Sequence, residues 1–247
     1  MEQVLLAVTH ISTFSGGVNL TSASGFFFRR DEHIFLVTSR HVVIDELSEH
    51  HPDRIEIELH IDPANLGASV WYSIPLYVDG KGVWREGFDA GGPIDVAVIH
   101  INQSALPENM ELCAFTPLNL YKENEVIEIG SSLLIIGFPL GFHDSLHHLP
   151  VVRQAGVASS FGLRFQGNGY FLTDGRTHRG TSGAPVVMSR HTTESGDGVL
   201  PWLLLGIHSM RLDMGTRDLK IDEALGLNCA WYADILMTLT EHADHAV

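Results

Sequence analysis

The stretch Arg179-Gly180-Thr181-Ser182-Gly183-Ala184-Pro185-Val186-Val187 sets a serine inside a glycine turn that feeds an apolar strand. A serine hydroxyl becomes a strong nucleophile when an imidazole takes its proton and a carboxylate holds that imidazole in the right tautomer. It also needs two backbone N–H groups aimed at one spot, where an oxyanion develops. Gly180 has the conformational freedom to turn its N–H inward beside that of Ser182, and Gly183 reads as room left for a substrate. Two upstream stretches carry the missing groups. Phe35-Leu36-Val37-Thr38-Ser39-Arg40-His41-Val42-Val43 is a strand that ends in a histidine, and Pro93-Ile94-Asp95-Val96-Ala97-Val98-Ile99 puts an aspartate at the head of an apolar strand. A carboxylate there is costly to bury alone, and His41 is a partner that would offset the cost. Taken singly, the three also read as a strand-end histidine, a turn or cap aspartate and a tight turn. Their order and context join them.

Around these stretches the chain is a series of short β-branched and aromatic runs separated by Gly, Pro, Asn and Asp, the pattern of many short strands. The expected strands are Val4–Ser12, Gly25–Arg30, Ile34–Thr38, Ile55–Ile61, Val70–Val78, Val96–Ile101, Ser132–Gly137, Val151–Ser159, Tyr170–Thr173, Ala184–Met188 and Leu203–His208. Within them Ile55-Glu56-Ile57-Glu58-Leu59-His60-Ile61 alternates strictly, as a strand with one wet face should. Helical spacing appears late, where Trp231, Ile235, Leu236 and Leu239 share a face. So many strands and one closing helix point to an all-β barrel or sandwich rather than βαβ units. Leu106–Glu125, with two prolines, reads as the link between two halves.

The 247 residues suffice for one large domain or two small ones with real cores. Thirty acidic against 15 basic residues, net −15, argue against a nucleic-acid or membrane-surface partner, since phosphate contacts need clustered Lys and Arg. With 45% hydrophobic and only 18% charged residues, the chain is not a disordered acidic one either. The charge is uneven. Residues 1–125 hold 7 basic and 18 acidic side chains, whereas Val151–Arg190 holds five arginines (Arg153, Arg164, Arg176, Arg179, Arg190) against Asp174 alone. Cys113 and Cys229 lack metal or redox spacing and read as buried thiols. Met1-Glu2-Gln3 has no basic character and Val4–Val8 is too short for a signal sequence. A cytoplasmic location is therefore expected, a secreted mature form being also compatible.

Together, Thr38-Ser39-Arg40-His41-Val42, Ile94-Asp95-Val96-Ala97-Val98 and Gly180-Thr181-Ser182-Gly183-Ala184-Pro185 resemble the trypsin-like (chymotrypsin-fold) serine peptidases of bacterial type, in their His, Asp, Ser order. The separations, 54 and 87 residues, are compatible with that family. Ile136-Gly137-Phe138-Pro139-Leu140-Gly141 is similar to a Gly-(Tyr/Phe)-Pro-Leu-Gly segment of bacterial members. Leu172-Thr173-Asp174 ahead of the serine turn resembles the high-temperature-requirement proteases. The resemblance implies two six-stranded antiparallel β-barrels, residues 1–117 and 118–247, with the active site between them and a C-terminal helix at about 229–242. It implies a serine endopeptidase: His41 general base then acid, Asp95 its orienting carboxylate, Ser182 the acylated nucleophile, Gly180 and Ser182 the oxyanion hole. A catalytically idle scaffold of the same fold, and a latent protease effector switched on by an activating or sensor protein, are the alternatives. Thr181 stands where digestive members have an Asp, and no Ile-Val-Gly-Gly start is present, which argues against zymogen activation by N-terminal insertion. Arg40 beside the histidine has no reading.

The Gly206-Ile207-His208 run resembles glutamyl endopeptidases, in which a His and a Thr bind an acidic P1 side chain. Thr177 and His208 fall at those places, with Ser209 adjacent and Arg176 and Arg211 near enough to add charge. Glu, Asp or Gln at P1 is thus one expectation, beside no strong preference and a small apolar P1. The substrate is a polypeptide, with no membrane, nucleic acid or cofactor. His143, His147 and His148 cluster, as do His50 and His51, but no Cys or Glu completes a zinc pattern in the sequence, so no metal is expected.

Overall fold

A computed structural model describes residues 2–62, 64–107, 110, 112–122, 125–190, 199–213 and 224–241. The chain runs β1 (Val8–Ser15), β2 (Val18–Arg30), β3 (His33–Thr38), α1 (Arg40–Val43), β4 (Arg54–His60), β5 (Ser69–Pro75), β6 (Tyr77–Val78), β7 (Lys81–Gly82), β8 (Trp84–Asp89) and β9 (Gly92–Ile101). It continues with β10 (Ser132–Gly137), β11 (Val151–Gly156), β12 (Tyr170–Thr173), β13 (Pro185–Ser189), β14 (Trp202–Asp213), β15 (Ala224–Tyr232) and α2 (Ile235–Leu239). Val4–Ser12, expected as one strand, begins as a 3-10 turn over Gln3–Ala7.

Two large antiparallel sheets result, beside a two-stranded ribbon of β6 and β7. The first has seven strands in the order β5-β4-β1-β2-β3-β9-β8, the second six in the order β11-β10-β13-β14-β15-β12. The all-β class is as expected, but neither sheet closes into a barrel. Among the described residues no hydrogen-bonded pairing joins β5 to β8, and β11 and β12 are linked only past the end of β11, by the single bridge of Val157 with Thr173. The extra strand of the first sheet is β8, whose Trp84-Arg85-Glu86-Gly87-Phe88 lacks a β-branched run; its ladder to β9 (Trp84 opposite Ile99) makes it a strand. The expected helix over about 229–242 is also corrected. Residues 229–232 belong to β15, where Trp231 pairs with Tyr170 of β12 and Ile207 of β14, and the helix covers only Ile235–Leu239. A strand flanked on both sides and buried loses the alternation that betrays an edge, so its apolar residues merged with the helical spacing behind it. The expected end at 242 lies outside the described residues.

One buried cluster is shared by both sheets: Phe26, Phe28, Phe35, Val37 and Val96 from the first, Ile136, Phe138, Val187, Leu204 and Ile207 from the second, with Leu236 and Leu239 of α2. Separate cores lie inside each sheet, built on Ile55, Ile57 and Leu59 in the first and on Ile135, Phe171 and Val186 in the second. Burial of this kind is worth roughly 1.5–3 kcal/mol per large side chain. Polar clamps add register across the seam. Ser24 of β2 donates its N–H to the Ser182 carbonyl (2.9 Å) and its hydroxyl to the Gly180 carbonyl (2.7 Å), and its Oγ accepts the Phe138 N–H (2.9 Å). The glycine turn therefore rests on both sheets.

The strand β4 departs from its expected wet face. Glu58 and His60 are buried, at 7% and 8% exposure, because the loop after β10 folds over them. His148 of that loop lies 2.7 Å from Glu58. Among the described residues no helix is long and apolar enough to cross a membrane. Cys229 is buried as expected, Cys113 only half so, and neither is in a disulfide.

Candidate active site

β3 delivers Thr38, Ser39 and the four-residue helix α1, which starts one residue before His41. Asp95, near the start of β9, meets that helix end with both oxygens. Its Oδ1 accepts the His41 backbone N–H (2.9 Å), one of the donors a helix start leaves without a partner, and its Oδ2 lies 2.7 Å from His41 Nδ1. Ser209 Oγ donates a third bond, to Oδ2. Burial works to raise the Asp95 pKa, but the bonds from His41 and Ser209 and the His41 charge outweigh it, and the carboxyl stays below its usual range. For His41 burial works downward, yet the Asp95 bond and charge prevail and the imidazole stands above its ordinary value.

Ser182 and Gly180 reach the same place from the turn before β13. With His41, Asp45, Glu49, His50, Leu140 and Arg179 they line a cleft of about 750 Å³ walled on one side by Leu20–Ala23 of β2. Gly180 has φ +90°, and a Cβ there would sit 2.5 Å from the Phe138 carbonyl oxygen and 2.9 Å from the Leu140 nitrogen. The Arg179 carbonyl accepts the Leu140 N–H (2.6 Å), so in a trans peptide the Gly180 N–H points to the opposite side. Neither the Gly180 nor the Ser182 N–H has an acceptor among the described residues. Ser182 Oγ donates to the Ser209 carbonyl (3.1 Å), and no hydrogen bond joins it to His41 among the described residues. Gly183, with φ +84°, does not leave room for a substrate. A Cβ there would run into the Ser24 carbonyl and the Thr38 hydroxyl, so its smallness admits the protein's own chain.

The geometry is that of a known fold. A family model, the trypsin-like peptidase domain, matches residues 23–192, more than half of the sequence. The chain belongs to that family. A comparison with curated proteins finds no match. Among solved structures the chain is similar to the serine endoprotease from Yersinia pestis, at TM-score 0.54 and 17% identity, over 96% of this chain. It spans 63% of the length of that protein. At such low identity the likeness speaks for the fold.

Other residues of this trypsin-like domain land less simply. Thr177 is buried and its hydroxyl donates to Asn228 Oδ1 (2.6 Å), while Asn228 Nδ2 donates to the carbonyls of Thr173 (3.2 Å) and Gly175 (2.7 Å). His208 is 2% exposed, with Nδ1 unpartnered. Its pKa falls to about 3, first through burial and then through the nearby His41 charge, against the pull of Asp95, so the ring is neutral. Its carbonyl accepts from Gly183 N–H (2.8 Å) and Ser39 Oγ (3.1 Å). Ser209 is spent on Asp95 rather than on a substrate wall. Arg176 and Arg211 are exposed. Of the five arginines in residues 151–190, only Arg179 lines the cleft; Arg164 pairs with Asp89 (2.9 Å) and Arg190 with Glu125 (3.1 Å). Arg40 now has a role. It bonds Glu86 of β8 (2.7 Å) and Glu46 (3.1 Å), bracing α1 beside His41. Ser24 and Asn228 went unnoticed in the sequence, and Leu140 entered only as part of the Gly137–Gly141 motif; of the first two, Asn228, a lone amide in Leu227-Asn228-Cys229-Ala230, left a signal.

Proposed function

We propose that the chain is a serine endopeptidase with His41, Asp95 and Ser182 as its triad and the Gly180 and Ser182 N–H groups as its oxyanion hole. The observation that carries this is the 2.7 Å bond from His41 Nδ1 to Asp95 in the cleft that also holds Ser182 and Gly180. With Nδ1–H committed to Asp95, Nε2 is left as the base. It takes the Ser182 proton as Oγ attacks the peptide carbonyl carbon, and the oxygen, now negative, meets the two N–H groups. His41 returns the proton to the departing amine, and water then releases the acyl group by the reverse exchange.

The P1 side chain is Gln, Glu or Asp in this reading, recognised by Thr177 and His208. Thr177 gives its proton to Asn228 and so offers lone pairs, while the neutral His208 ring, its Nδ1 enclosed by protein, would present Nε2. A group that both donates and accepts complements them, which ranks Gln first. A peptide panel differing only at P1 tests this, and faster cleavage after Leu or Arg would sink it.

A second reading, a latent enzyme awaiting a partner, is favoured by the Ser182 hydroxyl resting on the Ser209 carbonyl. A fluorophosphonate probe separates the cases. Labelling of the purified chain, lost in Ser182→Ala, supports the active enzyme; labelling only after a partner is added supports the latent one. A folded wild type that never reacts supports an idle scaffold.

A further inference from the structure

The loop that closes over β4 brings together what the sequence keeps apart. Glu58 sits on β4, and His143 and His148 sit 85 and 90 residues later, the first just before and the second within a tight hairpin in which Asp144 and Leu149 pair. One donor atom from each of the three lies within 4.8 Å of the others. We propose that Glu58, His143 and His148 bind a first-row divalent cation, zinc by the chemistry of the donors. Two imidazoles and one carboxylate are a donor set that zinc takes with water in the remaining position.

The surroundings are those of ligands held in place. His143 Nδ1 donates to the Gly141 carbonyl (2.7 Å), which leaves Nε2 with its lone pair. Glu58 Oε1 accepts the Ser69 hydroxyl (2.7 Å), fixing the carboxylate. Such outer bonds orient ligands and raise their basicity. His60, two residues from Glu58 on the same face, donates Nδ1–H to the Leu66 carbonyl (3.1 Å) and adds a third imidazole at the margin. The charges also fit. A buried carboxylate is costly to leave without a cation, and among the described residues no Lys or Arg is paired with Glu58.

The consequence lies with the loop. Leu140, which holds the Arg179 carbonyl and so sets the Gly180 peptide, is three residues from His143. A cation would clip that loop to the first sheet. The binding test does not depend on peptidase activity, so the two readings fail separately.

The full chain, stripped with a chelator, is titrated with zinc sulfate by calorimetry, and with cobalt(II) for its visible ligand-field bands. One equivalent should bind, with affinity falling on the order of 100-fold or more in His143→Ala, His148→Ala and Glu58→Gln. His147→Ala, whose ring bonds Asp144 beside the cluster, and His33→Ala, which lies elsewhere, should bind as wild type does. Metal-free circular dichroism establishes that the variants fold, and the two half-buried histidines carry the test if Glu58→Gln does not. Absence of stoichiometric zinc in the wild type, equal binding when His143 and His148 are both replaced, or loss in His33→Ala overturns the proposal.

Discussion

Replacing Gly183 by alanine separates two penalties that usually travel together. The residue has φ +84°, where an L side chain costs roughly 1–2 kcal/mol. Its Cβ would also stand 2.9 Å from Thr38 Cα and closer still to the Ser24 carbonyl oxygen and Thr38 Oγ1. Relief means moving β3 against β2, about 1–3 kcal/mol for overpacking, and stretching the Thr38-to-Ser24 hydrogen bond (2.8 Å), about 1 kcal/mol more. The sum is on the order of 3–6 kcal/mol, a large share of the stability of any domain. Gly130 supplies the control. Its φ is +83°, yet nothing lies within 4 Å of its Cβ, so Gly130→Ala feels the backbone cost alone. At roughly 2–4 °C per kcal/mol for a chain of this size, thermal denaturation should show a fall of about 10–20 °C for Gly183→Ala and only a few degrees for Gly130→Ala. Equal falls would refute the claim that the first and second sheets meet in van der Waals contact at this glycine.

The remaining predictions concern the site. Because the His41 pKa is raised, the acid limb of kcat/KM should lie above pH 6.5, with activity lost as pH falls through it and the ring becomes charged. Imidazole NMR should place the His41 titration above 6.5 in the wild type and lower in Asp95→Asn, where burial is opposed only by the Asp45 charge; an unchanged titration contradicts the pairing. Ser209→Ala removes a bond to a buried carboxylate, worth roughly 1.5–3 kcal/mol, so kcat should drop about 10- to 100-fold with little change in KM. A purely KM effect would return Ser209 to the substrate wall.

The three catalytic candidates were legible because each lies in a contiguous motif whose chemistry is local: a histidine at a strand end, an aspartate before an apolar run, a serine between glycines. Their convergence in one cleft follows from sheet order, which the motifs imply only through the family they resemble. What escaped reading depends on distant chain. Strict alternation in Ile55–His60 was visible, but burial of its polar face is decided by a loop far downstream. β15 was hidden because a strand paired on both sides carries no period of its own. The arginines of residues 151–190 are near one another in sequence, yet most sit on connecting segments that part in space, Arg164 going to Asp89 and Arg190 to Glu125, and the cleft holds Asp45 and Glu49 with Arg179.

Ser24 binds the carbonyls on either side of Thr181 while belonging to the opposite sheet. The Ser182 turn therefore has no finished shape until both halves of the chain have met. During synthesis, neither a chain ending before β13 nor one still lacking its docked partner sheet holds that turn in place, so the cleft is completed at the last step of folding. Two fragments cut between the sheets should recover the site only by reassociation, at a rate that rises with the concentration of each.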